Sequence, residues 1–360
     1  MKKIALLLCL VLTMTMLAGC GGSKEKPAAN EATEKPAAQS ITVFNCFDYI
    51  DPSVIDQFEQ ETGITVKYAN YTTNEEMYTK LEAGAGSYDV IFPSDYMIER
   101  MIKEDLLAEL NMDAIPNSKN VMERLKNPSY DPENKFSVPY MWGTLGILYN
   151  TEMVDGEITS WSSLFDEKNA GNVIMMNSMR DTIGITLKYL GYSLNTRDEA
   201  ELNAAKDVLV AQKQAKIEAG YLLDETKDKM VGGEAAIGVV YSGDAQYAIE
   251  KNDKLAYVVP SEGSNIWVDG MVVPKSSKNI EAAQKFIDFM CREDIARKNF
   301  EYIYYCSPIQ AVVDGLSEED AAMETINPSE EVIGRCEFFN DVADCMSLYE
   351  SVWMEVRLAR

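Results

Sequence analysis

Residues 41–92 read ITVFNCFDYIDPSVIDQFEQETGITVKYANYTTNEEMYTKLEAGAGSYDVIF, and the fold class turns on this stretch. The apolar run 41–45 predicts a short strand, and 53–60 follow with Val54, Ile55 and Phe58 on one helical face, stopped by Gly63. The unit then repeats. Residues 64–68 alternate as a strand, 74–83 set Met77 and Leu81 four apart with Gly84 as terminator, and 89–92 predict a buried strand. This βαβαβ grammar predicts an α/β fold with a parallel sheet covered by helices on its faces.

A second α/β region begins near Gly143. It has predicted strands at 173–176 and 236–241 and helices at 181–190 and 200–216. A strand at 266–273, a helix at 280–290 and a closing amphipathic helix at 341–358 continue the same character. From residue 41 onward about 320 residues remain, enough for two domains of ordinary size.

Upstream, Lys2 and Lys3 precede an apolar run, 4–17, too short to span a bilayer; residues 1–19 therefore predict a cleaved secretory signal. Leu17-Ala18-Gly19-Cys20 has the lipobox pattern, so Cys20 is expected to carry lipid as the mature N-terminus. Residues 20–40 are mostly small, charged or proline and should form a flexible tether that holds the protein outside the cytoplasmic membrane.

The net charge is −25, which disfavours nucleic acid and anionic surfaces and suits a cationic ligand. Much of that acidity also serves as a solvated surface. With no histidine, every Ser-His-Asp or Cys-His nucleophile and every histidine-bearing metal site is excluded. Of the seven cysteines, Cys9 and Cys20 lie in the leader and five in the folded part; no C-x-x-C occurs. Those five read as buried thiols with room for one disulfide.

Asn45-Cys46-Phe47-Asp48-Tyr49-Ile50, Gln57-Phe58, Glu61-Thr62-Gly63-Ile64 and Phe92-Pro93-Ser94-Asp95-Tyr96 resemble the start of the spermidine/putrescine-binding proteins. The series continues through Val138-Pro139-Tyr140-Met141-Trp142-Gly143, Ser160-Trp161 with Leu164, Leu190-Gly191-Tyr192, Ile266-Trp267-Val268-Asp269 and Asn340-Asp341-Val342. The resemblance implies a two-lobed, periplasmic-binding-protein-like α/β fold of type II, closing by hinge motion on a ligand held between its lobes. Lobe one would comprise 41–143 plus 267–306, and lobe two 144–266 plus 307–360, with hinges near 142–146 and Trp267. It also implies a monomeric binding protein without a cofactor, which delivers polyamine to the permease subunits of an ABC importer.

A polyamine needs carboxylates for its ammonium ends and apolar or aromatic walls for its methylenes. A ring face attracts a cation by about 0.5 to 2 kcal/mol, and a charge-assisted hydrogen bond contributes about 1.5 to 3 kcal/mol. Trp267 and Asp269, two apart on a strand, present ring and carboxylate on one face. The resemblance further places Tyr49, Ser94, Tyr96, Tyr241 and Tyr305 at ligand-contacting positions, with Asp181 as the terminal-amine carboxylate and Asp48 where putrescine-selective members carry an acid. Cys46 and Phe47 depart from the family's tryptophan and small hydroxyl residue, Tyr241 from a frequent tryptophan, Ser178 from a second carboxylate and Phe339 from a glutamine. The less acidic end at Asp181 and Ser178 favours a diamine such as putrescine over spermidine, or a neighbouring cationic amine.

Two other readings compete. Adjacent Tyr304 and Tyr305 could ligate ferric iron as phenolates, and Asp166 with Glu167 could in principle serve a glycosidase. The acidic pair reads better as an exposed turn after Leu164 and Phe165.

Overall fold

The computed structural model describes residues 39–46, 49–84 and 86–359. The expected signal, Cys20, the tether up to residue 38, and Asp48 lie outside them. The opening stretch folds as β1 (Ser40–Cys46), α1 (Pro52–Thr62), β2 (Thr65–Tyr71), α2 (Asn74–Glu82) and β3 (Val90–Ile91), with β1 parallel to both β2 and β3. Local chemistry sets these boundaries. Asp51 accepts the Ser53 N–H at 2.8 Å, Pro52 enters a first turn where its missing N–H costs nothing, and Gly63 ends α1 at φ 70°. Strand β3 is shorter than the predicted 89–92: buried Asp89 accepts the Thr42 N–H at 2.8 Å and the Ser277 hydroxyl at 2.6 Å, tying the strand end by its side chain.

Helix α3 (Asp95–Lys103) follows, then β4 (Ser137–Asn150), β5 (Val173–Met176), α4 (Met179–Tyr189), α5 (Glu199–Gln214), β6 (Glu218–Leu222), β7 (Ile237–Tyr241), β8 (Leu255–Val258) and β9 (Ile266–Val272). The sheet order is β2-β1-β3-β9-β4-β7-β5-β6, with β8 also on β4. The parallel pairing expected for the opening stretch is observed, and the sheet as a whole is mixed. β2-β1-β3 and β7-β5-β6 are parallel, but β9 and β4 run antiparallel to their neighbours at the centre.

All 14 residues of β4 are buried. Its first half, to Thr144, pairs with β9, and from Leu145 onward it pairs with β7 and then β8. The apolar core divides at the same point. Val43, Phe58, Met141, Trp142 and Phe286 belong to one cluster, and Leu145, Ile147, Trp161, Val173 and Val239 to another. The fold is thus two-lobed, with one strand carrying the chain from one core to the other. Ile309 and Val312 pack in the first of these clusters.

The closing helix spans Met346–Leu358 and not the expected 341–358. Asp341 donates its N–H to Glu99 Oε2 at 2.7 Å and accepts the Ala343 N–H at 2.9 Å, which holds this segment in a turn. The five described cysteines, Cys46, Cys291, Cys306, Cys336 and Cys345, are all free thiols, so the place left for a disulfide is not used.

Candidate ligand-binding cleft

A cleft of about 700 Å3 opens beside the β4 crossing. Tyr49, Ser94, Tyr96, Trp267, Asp269 and Tyr305 line it from one side, and Ser178, Asp181 and Tyr241 from the other. Every described residue expected at the site therefore converges there.

Strand β9 carries Trp267 and Asp269 on one face, opposite Gly143 and Met141 of β4. A Cβ on Gly143 would lie 2.8 Å from the Trp267 ring, so glycine is what lets the indole lie against β4. Trp267 packs edge-on to Tyr305 at 4.9 Å and to Tyr241 at 5.7 Å, forming an aromatic wall. Gly243 has a similar role, since its Cβ would fall 2.0 Å from the Tyr305 ring.

Asp269 accepts the Tyr49 hydroxyl on Oδ2 and the Ser94 hydroxyl on Oδ1, both at 2.6 Å. Ser94 stands at the N-cap of α3 but gives its hydroxyl to Asp269 rather than to the helix. Burial raises the Asp269 carboxyl to about 6, partly offset by those two hydrogen bonds. Asp181 occupies the first turn of α4, where its Oδ2 accepts the Ser178 hydroxyl at 2.5 Å and the Tyr241 hydroxyl at 2.9 Å. Burial raises this carboxyl too, and the two hydroxyls and Arg180 oppose the rise. Tyr96 donates to Glu75 at 2.9 Å, and Tyr305 to Asp244 at 3.1 Å.

The first turns of α3, α4 and the helix Ser242–Lys251 lie at or beside this cleft, and their N-terminal dipole ends would repel a cation. Asp181 and Asp244 sit in two of those first turns and offset that field, whereas burial pushes the carboxyl of Asp95, in the third, well above the ordinary range and toward its neutral form. Glu75 offsets the same kind of field at the start of α2. With them the cleft suits an extended, apolar-bodied cation bearing positive ends.

Several lining residues escaped the sequence reading. Glu75, Asp224, Glu225 and Glu350 add carboxylates, and Trp353 adds a second cleft-facing indole from the closing helix. Arg180 is only 4 % exposed and lies over Phe339 at 4.4 Å and Tyr349 at 5.1 Å, while donating to the Asn340 carbonyl and to Asn195. A buried arginine beside the expected carboxylate in Met179-Arg180-Asp181 was a signal in plain view.

The rival residues lie differently. Tyr305 lines the cleft, whereas Tyr304 caps the helix Glu293–Ile303 and packs on Tyr247 at 6.5 Å, so these neighbours do not converge. Asp166 caps the short turn Glu167–Asn169, accepting the Lys168 N–H at 3.0 Å, in keeping with a structural turn.

Residues 53–325 match the family described as bacterial extracellular solute-binding protein. The spermidine/putrescine-binding periplasmic protein of Salmonella typhimurium is 34% identical over 323 residues, 89% of this chain and 92% of the relative. The putrescine-binding periplasmic protein SpuD of Pseudomonas aeruginosa is 30% identical over 324 residues, covering 84% of this chain and 87% of its own. Among solved structures, the spermidine/putrescine ABC transporter substrate-binding protein PotD from Streptococcus pneumoniae is 38% identical with a TM-score of 0.79, covering 89% of this chain and 99% of that one.

Proposed function

The chain belongs to the bacterial extracellular solute-binding proteins, in their spermidine/putrescine-binding branch, and on that premise we propose that it captures a polyamine in the cleft and delivers it to an ABC importer. As a member of that family it is a binding protein and not an enzyme. The observation that carries the ligand reading is the pairing of Asp269 with the Trp267, Tyr241 and Tyr305 rings, with Asp181 on the facing wall. One ammonium end meets Asp269, the methylenes lie along the rings, and the other end meets Asp181.

A diamine such as putrescine fits better than spermidine. Arg180, held over Phe339 next to Asp181, is a resident cation that opposes a further ammonium at that end. The lobes are taken as 41–143 with 267–306, and 144–266 with 307–360; Ile309 and Val312, just past that boundary, pack with the first core. Closure then bends the chain near 142–146 and Trp267. The lipobox at Cys20 supports a lipoprotein held outside the cytoplasmic membrane near its permease; fatty-acid labelling that survives in a Cys20→Ser variant would contradict this.

Isothermal titration with putrescine, spermidine and ferric citrate tests the ligand. Saturable one-to-one heat with an amine is expected, and putrescine should bind more tightly than spermidine. Tight iron binding with no amine heat would overturn the reading.

A further inference from the structure

We propose that Asn265 is an additional ligand-contacting residue, whose side-chain carbonyl accepts an N–H of the bound ammonium. Its position is one residue before β9 and two before Trp267, so it projects to the same side of the extended chain as the indole. It lines the cleft and is 1 % exposed. Its amide orientation is set by its surroundings: Nδ2 points at the carbonyls of Ile266 and Glu337, each at 3.4 Å, and a flipped amide would aim oxygen at oxygen. Oδ1 is then left buried without a partner in the protein.

An acceptor carbonyl in that state costs free energy unless a donor reaches it. An ammonium carries three N–H donors, and a single carboxylate uses one or two of them. Asp269 and Asp181 answer the charge, whereas Asn265 answers the count of donors. It therefore discriminates between cations that carry N–H groups and cations of equal charge that do not. A purely structural task is the competing account, because the Asn265 backbone carbonyl accepts the Leu145 N–H at 3.0 Å beside the strand crossing.

This inference rests on the polyamine reading and is separable from it. Calorimetry with putrescine is run on the full chain and on Asn265→Leu, which keeps the volume and removes the acceptor. The variant is expected to bind roughly tenfold more weakly while its melting temperature stays within a few degrees. In parallel, the wild-type chain labelled with 13C on asparagine is titrated with putrescine. The Asn265 side-chain carbonyl resonance, assigned as the one missing from Asn265→Leu, should move downfield and saturate at the calorimetric midpoint. A resonance that stays still overturns the proposal whether or not the variant folds, as does unchanged affinity in a folded variant. Wild-type protein that releases no heat with any amine overturns the underlying ligand reading, and this assignment with it.

Discussion

Asp269 and Asp181 offer the same functional group from opposite walls, in unlike settings. Asp269 stands on a central strand, flanked by aromatic rings and held by hydroxyls from Tyr49 and Ser94. Asp181 stands in the first turn of α4, next in sequence to Arg180 and held by Ser178 and Tyr241. The helix end and the arginine already neutralise part of the Asp181 charge, whereas nothing cationic is bonded to Asp269 among the described residues. The strand-borne carboxylate should therefore supply most of the attraction for an ammonium, and the helix-borne one should chiefly set length and orientation.

The largest expected effect tests that ranking directly. Asp269→Asn should weaken amine binding by about 10- to 100-fold in calorimetry, the range of a charge-assisted hydrogen bond. Unchanged affinity would remove Asp269 from the site.

Next comes pH. The Asp269 carboxyl sits at about 6 in the fold against an ordinary value of 3.8, so the folded state binds this proton more readily than the unfolded chain. Ionising it costs the ligand-free protein stability above pH 6, and that cost is relieved as the pH falls through 6 toward 3.8. Asp269→Asn should accordingly melt higher than wild type at pH 7, with the gap closing near pH 4. Amine affinity follows the opposite sign because the ligand needs the carboxylate. At pH 5 it should be about tenfold lower than at pH 7.5, and Asp269→Asn should lose most of that dependence.

Asp181→Asn should cost less, about three- to tenfold, since the helix end and Arg180 already offset its charge. An effect equal to that of Asp269→Asn would abolish the distinction between the two walls. Tyr241→Phe is the mildest change: it removes one hydroxyl from Asp181 and keeps the ring against Trp267, so a two- to threefold loss is expected.

The two walls also differ in how readable they were. Trp267 and Asp269 could be paired from their spacing alone, because alternate residues of a strand share a face over any length of sheet. The link of Asp181 to Tyr241 joins residues 60 apart, and neither local period nor composition records such a contact. Glu75 and Trp353 were missed for the same reason, each coming to the cleft from a different helix. Phe339 stood out as a departure from the family, but its contact with the Arg180 guanidinium joins residues far apart along the chain and is seen only in the fold.

Local periodicity, caps and terminators were enough for the α/β class, for about half of the helices and most of the strands among the described residues, and for the residue pair at the heart of the cleft, because all of these depend on neighbours within a turn or two of the chain. Sheet order depended on the folded chain: β9 returns from the far end of the sequence to lie between β3 and β4, and β4 divides its pairing at Thr144. Those are long-range contacts whose partners compete in three dimensions. The electrostatic character of the two carboxylates was decided there as well, since burial, a helix end and a neighbouring guanidinium act through space and not along the chain.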